Sequence, residues 1–598
     1  MKRYLLVDVG STTTKAIYAT ISEEGAKFLA LADAPTTVEA PAEDVQIGLE
    51  HALSRIQVQL DALNQQPSSG DQPALVLPHN INAVDGFLLT SSAGGGLQML
   101  VIGLVRGMTG ESAERAALGA GGVILDVLAQ DDQRLPFERV RRIRELHPDM
   151  ILLAGGVEGG AVLDVASLAE LLFHANPESR FSKLHKLPLI YAGNSDLHPY
   201  LEQHAMGFDL QLVPNLRPTL DREELGPTRR VIQEQFMEHV MAHAPGYGAL
   251  RERASAAILP TPQAVTRSVH LLSEYRHANI LAVDIGGATT DIFSIVNQDM
   301  QRSVSANLGM SYSATNVLKE AGVAQLLRWL PPRISERELR DWLHNKMLRP
   351  TTLPHSEDAL LVEQVLAREA LRLGLAQHFR LTLQLKGNKP EGDWRYSSDD
   401  FFGDRQRFSH RDIDIIIGSG GVISHAPQAT QAAEILIDAF LPVGWTELLL
   451  DRHFSLPHIG TLAQVDPEGA LALLLQESLT PLGGLLVPKG GLFTGSQKVT
   501  IEPDEGEAHT YVAHPKTLTC IPLDPKRKYR VTIPAAWNMD FGAGLWRGFV
   551  KEGVQGSAGL YIDLRGRPLP WGKDQQQNRI NSSSWRVHLA PAAGKGGN

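Results

Sequence analysis

One phrase occurs twice in this chain. Near the N-terminus it reads Leu5-Leu6-Val7-Asp8-Val9-Gly10-Ser11-Thr12-Thr13-Thr14-Lys15. Far downstream it reads Leu281-Ala282-Val283-Asp284-Ile285-Gly286-Gly287-Ala288-Thr289-Thr290-Asp291. The copies agree at six of eleven positions: Leu5/Leu281, Val7/Val283, Asp8/Asp284, Gly10/Gly286, Thr13/Thr289 and Thr14/Thr290. Each is an apolar strand that ends in Asp, turns through Gly and small polar residues, and resumes as a strand. A duplicated hairpin of this kind predicts two related subdomains facing a shared cleft.

The residue types at the turn point to phosphate chemistry. Asp8 and Asp284 sit where an apolar strand ends, so each carboxylate can reach a cation while its strand stays in the core. Mg²⁺ takes oxygen ligands and keeps several waters, so two carboxylates acting partly through water suit it. Gly10, Gly286 and Gly287 let backbone N–H groups approach phosphate oxygens with no Cβ in the way. Ser11, Thr12, Thr13, Thr289 and Thr290 add hydroxyl donors. Lys15, on the returning strand, supplies a positive charge for the β-phosphate region.

A third element is Ile415-Ile416-Ile417-Gly418-Ser419-Gly420-Gly421-Val422. A strand that runs into Gly-Ser-Gly-Gly and then a helix suits the ribose and adenine side of a nucleotide. Alone, a D-x-G hairpin reads as an ordinary tight turn, and a strand–Gly-Gly–helix turn reads equally well as packing. The three together, in this order, read as a nucleotide site. They resemble the phosphate-1, phosphate-2 and adenosine motifs of the superfamily of actin, heat-shock chaperone ATPases and sugar kinases. Ala288 stands where that pattern commonly has Gly.

The 598 residues are too many for one core and predict three or four domains. The pattern places a first actin-like lobe at 1–75, an inserted α/β domain at 76–275, a second lobe at 276–479 and a β-rich module at 480–598. Apolar residues at helical spacing predict helices over 42–63, 112–129 and 360–385. Short apolar strands alternating with helices in 76–275 predict a parallel sheet. A net charge of −11 argues against broad nucleic-acid or anionic-membrane binding. The longest mostly apolar run, 97–105, falls short of the roughly 18 residues of a membrane span. The single cysteine, Cys520, excludes an internal disulfide and fits a reducing, cytoplasmic setting. The turn GGVEGG at 155–160 lacks the Lys-Ser/Thr ending of a P-loop and reads as structural, as does 91–96. The 21 histidines show no H-E-x-x-H and no paired metal spacing.

A narrower resemblance rests on DVGSTTTK (8–15), TSSAGGGL (90–97), AALGAG (116–121), LLAGGVEGG (152–160), YAGN (191–194), LPTP (259–262), DIGGATTD (284–291) and GSGGV (418–422). With these phrases the chain resembles the MutL/GlmL family of glutamate-mutase accessory proteins, which is distinct from the mismatch-repair protein of similar name. The resemblance covers residues 1 to about 475. It implies a fold of actin-like (ribonuclease H-like) ATPase lobes with an inserted parallel α/β domain. The implied activity is ATP binding and hydrolysis with Mg²⁺ in service of an adenosylcobalamin-dependent mutase. Asp8 and Asp284 would then hold Mg²⁺ and water. Thr13, Lys15, Gly286, Gly287 and Thr289 would hold phosphate, and Gly418, Ser419, Gly420 and Gly421 the nucleoside. The chain carries no D-x-H-x-x-G cobalamin phrase, so the cobalamin is expected on the partner. A small-molecule kinase on the same scaffold, or a nucleotide-sensing scaffold without hydrolysis, stands as the alternative.

Overall fold

The computed structural model describes all residues except 11–12, 38–41, 43, 65–83, 93–96, 180–185, 237–245, 306, 383–412, 490–494, 536–538, 543 and 590–598. The described residues form two compact units, one of 1–272 with 455–477, the other of 273–380 with 413–454 and 478–589.

The first unit opens with β1 (Lys2–Val9), β2 (Thr13–Ser22) and β3 (Gly25–Pro35), an antiparallel meander. β4 (Gly86–Ser91) then pairs parallel with β1. Leu5, Leu6, Val7 and Val9 are all buried, which is why β1 reads as a continuous apolar run instead of an alternating one. The helix Val45–Asn64 packs on this sheet through Val45, Leu49, Leu53, Ile56 and Leu60.

A second sheet follows, made of β5 (Leu97–Gly103), β6 (Gly122–Ala129), β7 (Met150–Ala154), β8 (Leu187–Tyr191) and β9 (Phe208–Leu212). It is wholly parallel, in the order β6-β5-β7-β8-β9. This is the parallel α/β insertion expected from the sequence. One expected helix is corrected. Residues 112–129 are a helix only over Glu111–Gly119, and the remainder is β6. Gly119, Gly121 and Gly122 break the helix, Gly121 at φ +100°. The apolar run beyond them carries β-branched Val123, Ile124 and Val127. The chain then returns through β10 (Leu259–Pro260), which adds to the outer side of β4. The first sheet thus has the order β10-β4-β1-β2-β3.

The second unit repeats that plan. β11 (Ile280–Ile285), β12 (Thr290–Val296) and β13 (Asp299–Ser305) form an antiparallel meander. β14 (Ile415–Ser419) and β15 (Gly444–Asp451) continue it in parallel on the β11 side. The order β15-β14-β11-β12-β13 matches the first sheet strand for strand. Two such meander-plus-parallel sheets in one chain are the ribonuclease H-like lobes of the actin-like fold.

Beyond residue 478 the sheet grows by β16 (Leu479–Val487), β22 (Leu560–Asp563), β19 (Leu518–Ile521) and β23 (Val587–Leu589), reaching nine strands. The intervening β17 (Gln497–Pro503), β18 (His509–Ala513), β20 (Lys528–Ile533) and β21 (Phe549–Gln555) make a separate antiparallel sheet over its own core. Among the described residues, no helix is long and apolar enough to cross a membrane.

Candidate functional site

The two hairpins are built alike. In the first, the Gly10 N–H donates to the Thr13 carbonyl at 3.0 Å. In the second, the Gly286 N–H donates to the Thr289 carbonyl at 2.9 Å. A Cβ on Gly10 would lie 2.7 Å from that Thr13 oxygen, so the turn closes only around glycine. The registers correspond as well. Asp8 lies opposite Lys15, and Asp284 lies opposite Asp291. The first lobe therefore presents a cation where the second presents Asp291, which is neutralised by Arg302 at 2.6 Å.

The two repeated carboxylates differ in surroundings. Asp8 is 6% exposed, and its Oδ1 accepts a hydrogen bond from Thr261 Oγ1 at 2.7 Å. Asp284 is exposed at the end of β11, in register with Ser419 of β14. Thr13 and Lys15 are half-buried, and His458 Nε2 lies 3.4 Å from the Lys15 carbonyl oxygen. Ser11 and Thr12 lie outside the described residues. Thr289 is half-buried. Thr290 is fully buried, and its hydroxyl donates to the Leu308 carbonyl at 2.5 Å.

The glycine turn follows β14 directly. Gly418 and Ser419 are buried within the strand end. Gly420 takes φ +114°, and a Cβ there would lie 2.3 Å from the Ile285 carbonyl oxygen. Only glycine satisfies both constraints. Gly421 is exposed and begins a short helix, Gly421–Ser424.

Gly286, Gly287 and Gly421 all line one cavity of about 990 Å³ in the second unit. Its far wall comes from the helix Glu336–Leu348, the segment 350–356 and the start of the helix Glu357–Thr382. There Lys346 is held by Glu363 at 2.6 Å and by the Thr352 carbonyl. His355, Ser356 and His425 also face the space. Convergent glycine backbone with a few polar side chains is the ordinary make-up of a small-molecule site. The sequence reading named the glycines and missed Lys346, Glu363, Ser356 and Thr261. The first three sit in helices and a connection with no motif of their own. Thr261 lies in the LPTP phrase, whose residue types alone assign it no role.

The glycine turn at 155–160 serves packing, while residues 93–96 of the turn at 91–96 lie outside the described residues. A Cβ on Gly193 would lie 2.4 Å from the Gly155 carbonyl oxygen, so the loops after β7 and β8 need glycine to pass each other. Burial pushes the Cys520 thiol up to about 11, which leaves it protonated and inert near neutral pH. Among the described residues, no group of three or more His, Cys, Asp or Glu gathers to hold a metal.

Comparison with known proteins now settles the family. The family model described as MutL protein matches residues 4–478. The chain belongs to the MutL family. A curated relative, Protein MutL of Clostridium tetanomorphum, is 27% identical over 501 residues, covering 79% of this chain and 98% of the relative. Among solved structures, nucleotide-free acetone carboxylase is similar with a TM-score of 0.35 and 13% identity, covering 77% of this chain and 70% of that one. Component A of (R)-2-hydroxyglutaryl-CoA dehydratase from Acidaminococcus fermentans gives a TM-score of 0.25 and 8% identity, covering 79% and 100%. Xylulose kinase from Lactobacillus acidophilus gives 0.26 and 10%, covering 80% and 91%. At these scores the fold of this MutL-family chain rests on the strand order within each unit.

Proposed function

We propose that this MutL-family chain binds ATP with Mg²⁺, hydrolyses it, and serves a cytoplasmic adenosylcobalamin-dependent mutase such as glutamate (methylaspartate) mutase. The observation that carries the reading is the convergence of Gly286, Gly287 and Gly421 on one cavity, in a chain of this family. That cavity, about 990 Å³, is roomy enough for a nucleoside and its first phosphates.

The donor set fits magnesium. Asp8 and Asp284 offer carboxylate oxygens only, the ligand type that Mg²⁺ takes alongside its own waters. Mg²⁺ held by them, partly through water, would neutralise charge developing on the phosphates. The chain's own groups do the rest. The backbone N–H groups of the glycine turns orient phosphate oxygens, Thr13 and Thr289 donate to them, and Lys15 adds positive charge. Gly418, Ser419, Gly420 and Gly421 shape the nucleoside end, beside Lys346 and Ser356. Hydrolysis then changes which state of the protein is favoured, which is how binding energy would be turned to work on a mutase whose cobalamin is damaged.

The test is steady-state ATP turnover with and without purified cobalamin mutases, beside calorimetry with MgATP. Binding, with turnover raised by a mutase and by no sugar or acid, is the expected result. Turnover raised only by a small hydroxylic substrate would make the chain a kinase. Silence in calorimetry would end the nucleotide reading altogether.

A further inference from the structure

We propose that Thr261 is a positioning residue, its hydroxyl fixing the Asp8 carboxylate in the orientation that serves the nucleotide's metal. The inference rests on the ATPase reading above.

The geometry begins with two residues. β10 is only Leu259–Pro260, and it lies parallel to β4 with Leu259 opposite Thr90. Thr90 is in turn opposite Asp8 across the β1–β4 pair. The short strand therefore delivers the next residue, Thr261, to the carboxyl end of β1. There its Oγ1 lies 2.7 Å from Asp8 Oδ1. Pro260 and Pro262 flank it, each with φ fixed by its ring, so the bracket is stiff.

Proton counting gives the direction. A threonine hydroxyl has one proton. That of Thr90 is directed at the Leu259 carbonyl at 2.8 Å, while its oxygen stands 3.5 Å from Thr261 Oγ1. The Thr261 proton is then given to Asp8, which as a carboxylate only accepts. A hydroxyl donating to Oδ1 from one side favours one rotamer of Asp8 and leaves Oδ2 out of this bond. The same end of the strand is pinned again by Ser91, whose hydroxyl donates to the Val9 carbonyl at 3.2 Å and bonds the buried Tyr247 hydroxyl. Asp284, at the matching place of the other hairpin, is exposed where Asp8 is buried, so the burial of Asp8 is not demanded by the repeat itself.

Thr261→Val keeps the shape and loses the donor. Thr261→Ala loses both, and Thr261→Ser keeps the donor. Three quantities are read: ATP turnover, the Mg²⁺ concentration that half-saturates ATP binding in calorimetry, and the unfolding temperature. Val and Ala variants are expected to lose roughly tenfold or more in turnover, the scale of one hydrogen bond to a charged group, and to need more Mg²⁺. Ser is expected to behave as wild type. If Val fails to fold, Ala against Ser decides. Wild-type turnover and Mg²⁺ requirement in Val or Ala would overturn the proposal, as would Ser impaired as badly as Ala. A wild-type protein that neither binds nor hydrolyses MgATP would instead remove the ATPase reading, a separable failure.

Discussion

Two adjacent glycines in the turn after β14 carry different duties, and substitution should separate them. Gly420 is locked by its φ of +114° and by the Ile285 carbonyl, 2.3 Å from where a Cβ would stand. Gly420→Ala should cost about 1–3 kcal/mol of stability, the usual scale for a forced backbone conformation, and disturb the cavity with it. Gly421 has no heavy atom within 4 Å of that position and no left-handed φ, yet it lines the cavity. Gly421→Val should leave the unfolding temperature unchanged and weaken ATP binding. Equal melting losses in both variants would contradict this division. At Asp8 and Asp284, replacement by Ala should lower ATP turnover by at least about two orders of magnitude, the scale of one lost positioned contact. Turnover assays comparing wild type with each variant check it, and indistinguishable rates would refute it. The turns themselves were legible because a tight strand–turn–strand hairpin favours glycine and small polar residues at its bend. Side-chain direction was not: Thr289 and Thr290 look alike in sequence, and only the structure turns Thr290 to Leu308.

At the scale of elements, the hairpins were legible because an apolar strand, a Gly turn and a second strand are contiguous in sequence. The misread stretch 112–129 shows the limit. Short apolar runs fit helix and strand alike, and the three-glycine break inside it carried the needed signal. The wall of the cavity from the helix Glu336–Leu348 was invisible, since long-range packing brings Lys346 to glycines some sixty residues earlier and seventy-five later. Helical spacing did announce the helix Glu357–Thr382, but not what His378 does in it. His378 is fully buried, with Ser294 Oγ 2.8 Å from Nε2 and Ser303 Oγ 2.8 Å from Nδ1. Burial pushes its pKa from 6.5 down to about 3. Below pH 6.5 the unfolded chain therefore takes up a proton that the folded chain refuses. The stability His378 contributes is complete above pH 6.5 and is lost as pH falls toward 3. The slope is about 1.4 kcal/mol per pH unit, so going from pH 7.5 to 5.0 should cost roughly 2 kcal/mol through this group. Urea unfolding at both pH values should show that loss in wild type and a smaller one in His378→Gln. An identical loss in the two would show that the acid sensitivity lies elsewhere.

For the whole molecule, the family match ends at residue 478, and the question is whether the remaining chain is an appendage. The packing says it is not. β16 covers the edge of β15 along its full length, and β22, β19 and β23 extend the sheet from there. Leu482, Leu485, Val487, Leu518, Cys520, Tyr561, Leu569 and Trp585 belong to the same buried cluster as Leu281, Ile416 and Phe440. Charge is interlocked as well. Arg565, fully buried, bridges Asp563 at 2.8 Å and Asp438 at 2.8 Å, the latter on the helix Ala429–Phe440, and Asp438 is also held by Arg368 at 2.9 Å. The arginines beside Asp563 hold its carboxyl well below the usual carboxylate range, so the Arg565–Asp563 pair persists throughout ordinary pH. Breaking one partner of such a buried pair typically costs about 3–5 kcal/mol, a large share of a domain's net stability. Removal of everything after 478 would add an open strand edge and a stripped apolar face, both of which favour aggregation. The truncated chain 1–478 is therefore expected to be insoluble, or to lose the cooperative unfolding of the second unit. Arg565→Met in the full chain should fold with reduced stability. Size-exclusion chromatography and thermal unfolding of both proteins decide the matter. A soluble 1–478 that melts at the wild-type temperature would mean that the added strands merely rest on a lobe already complete.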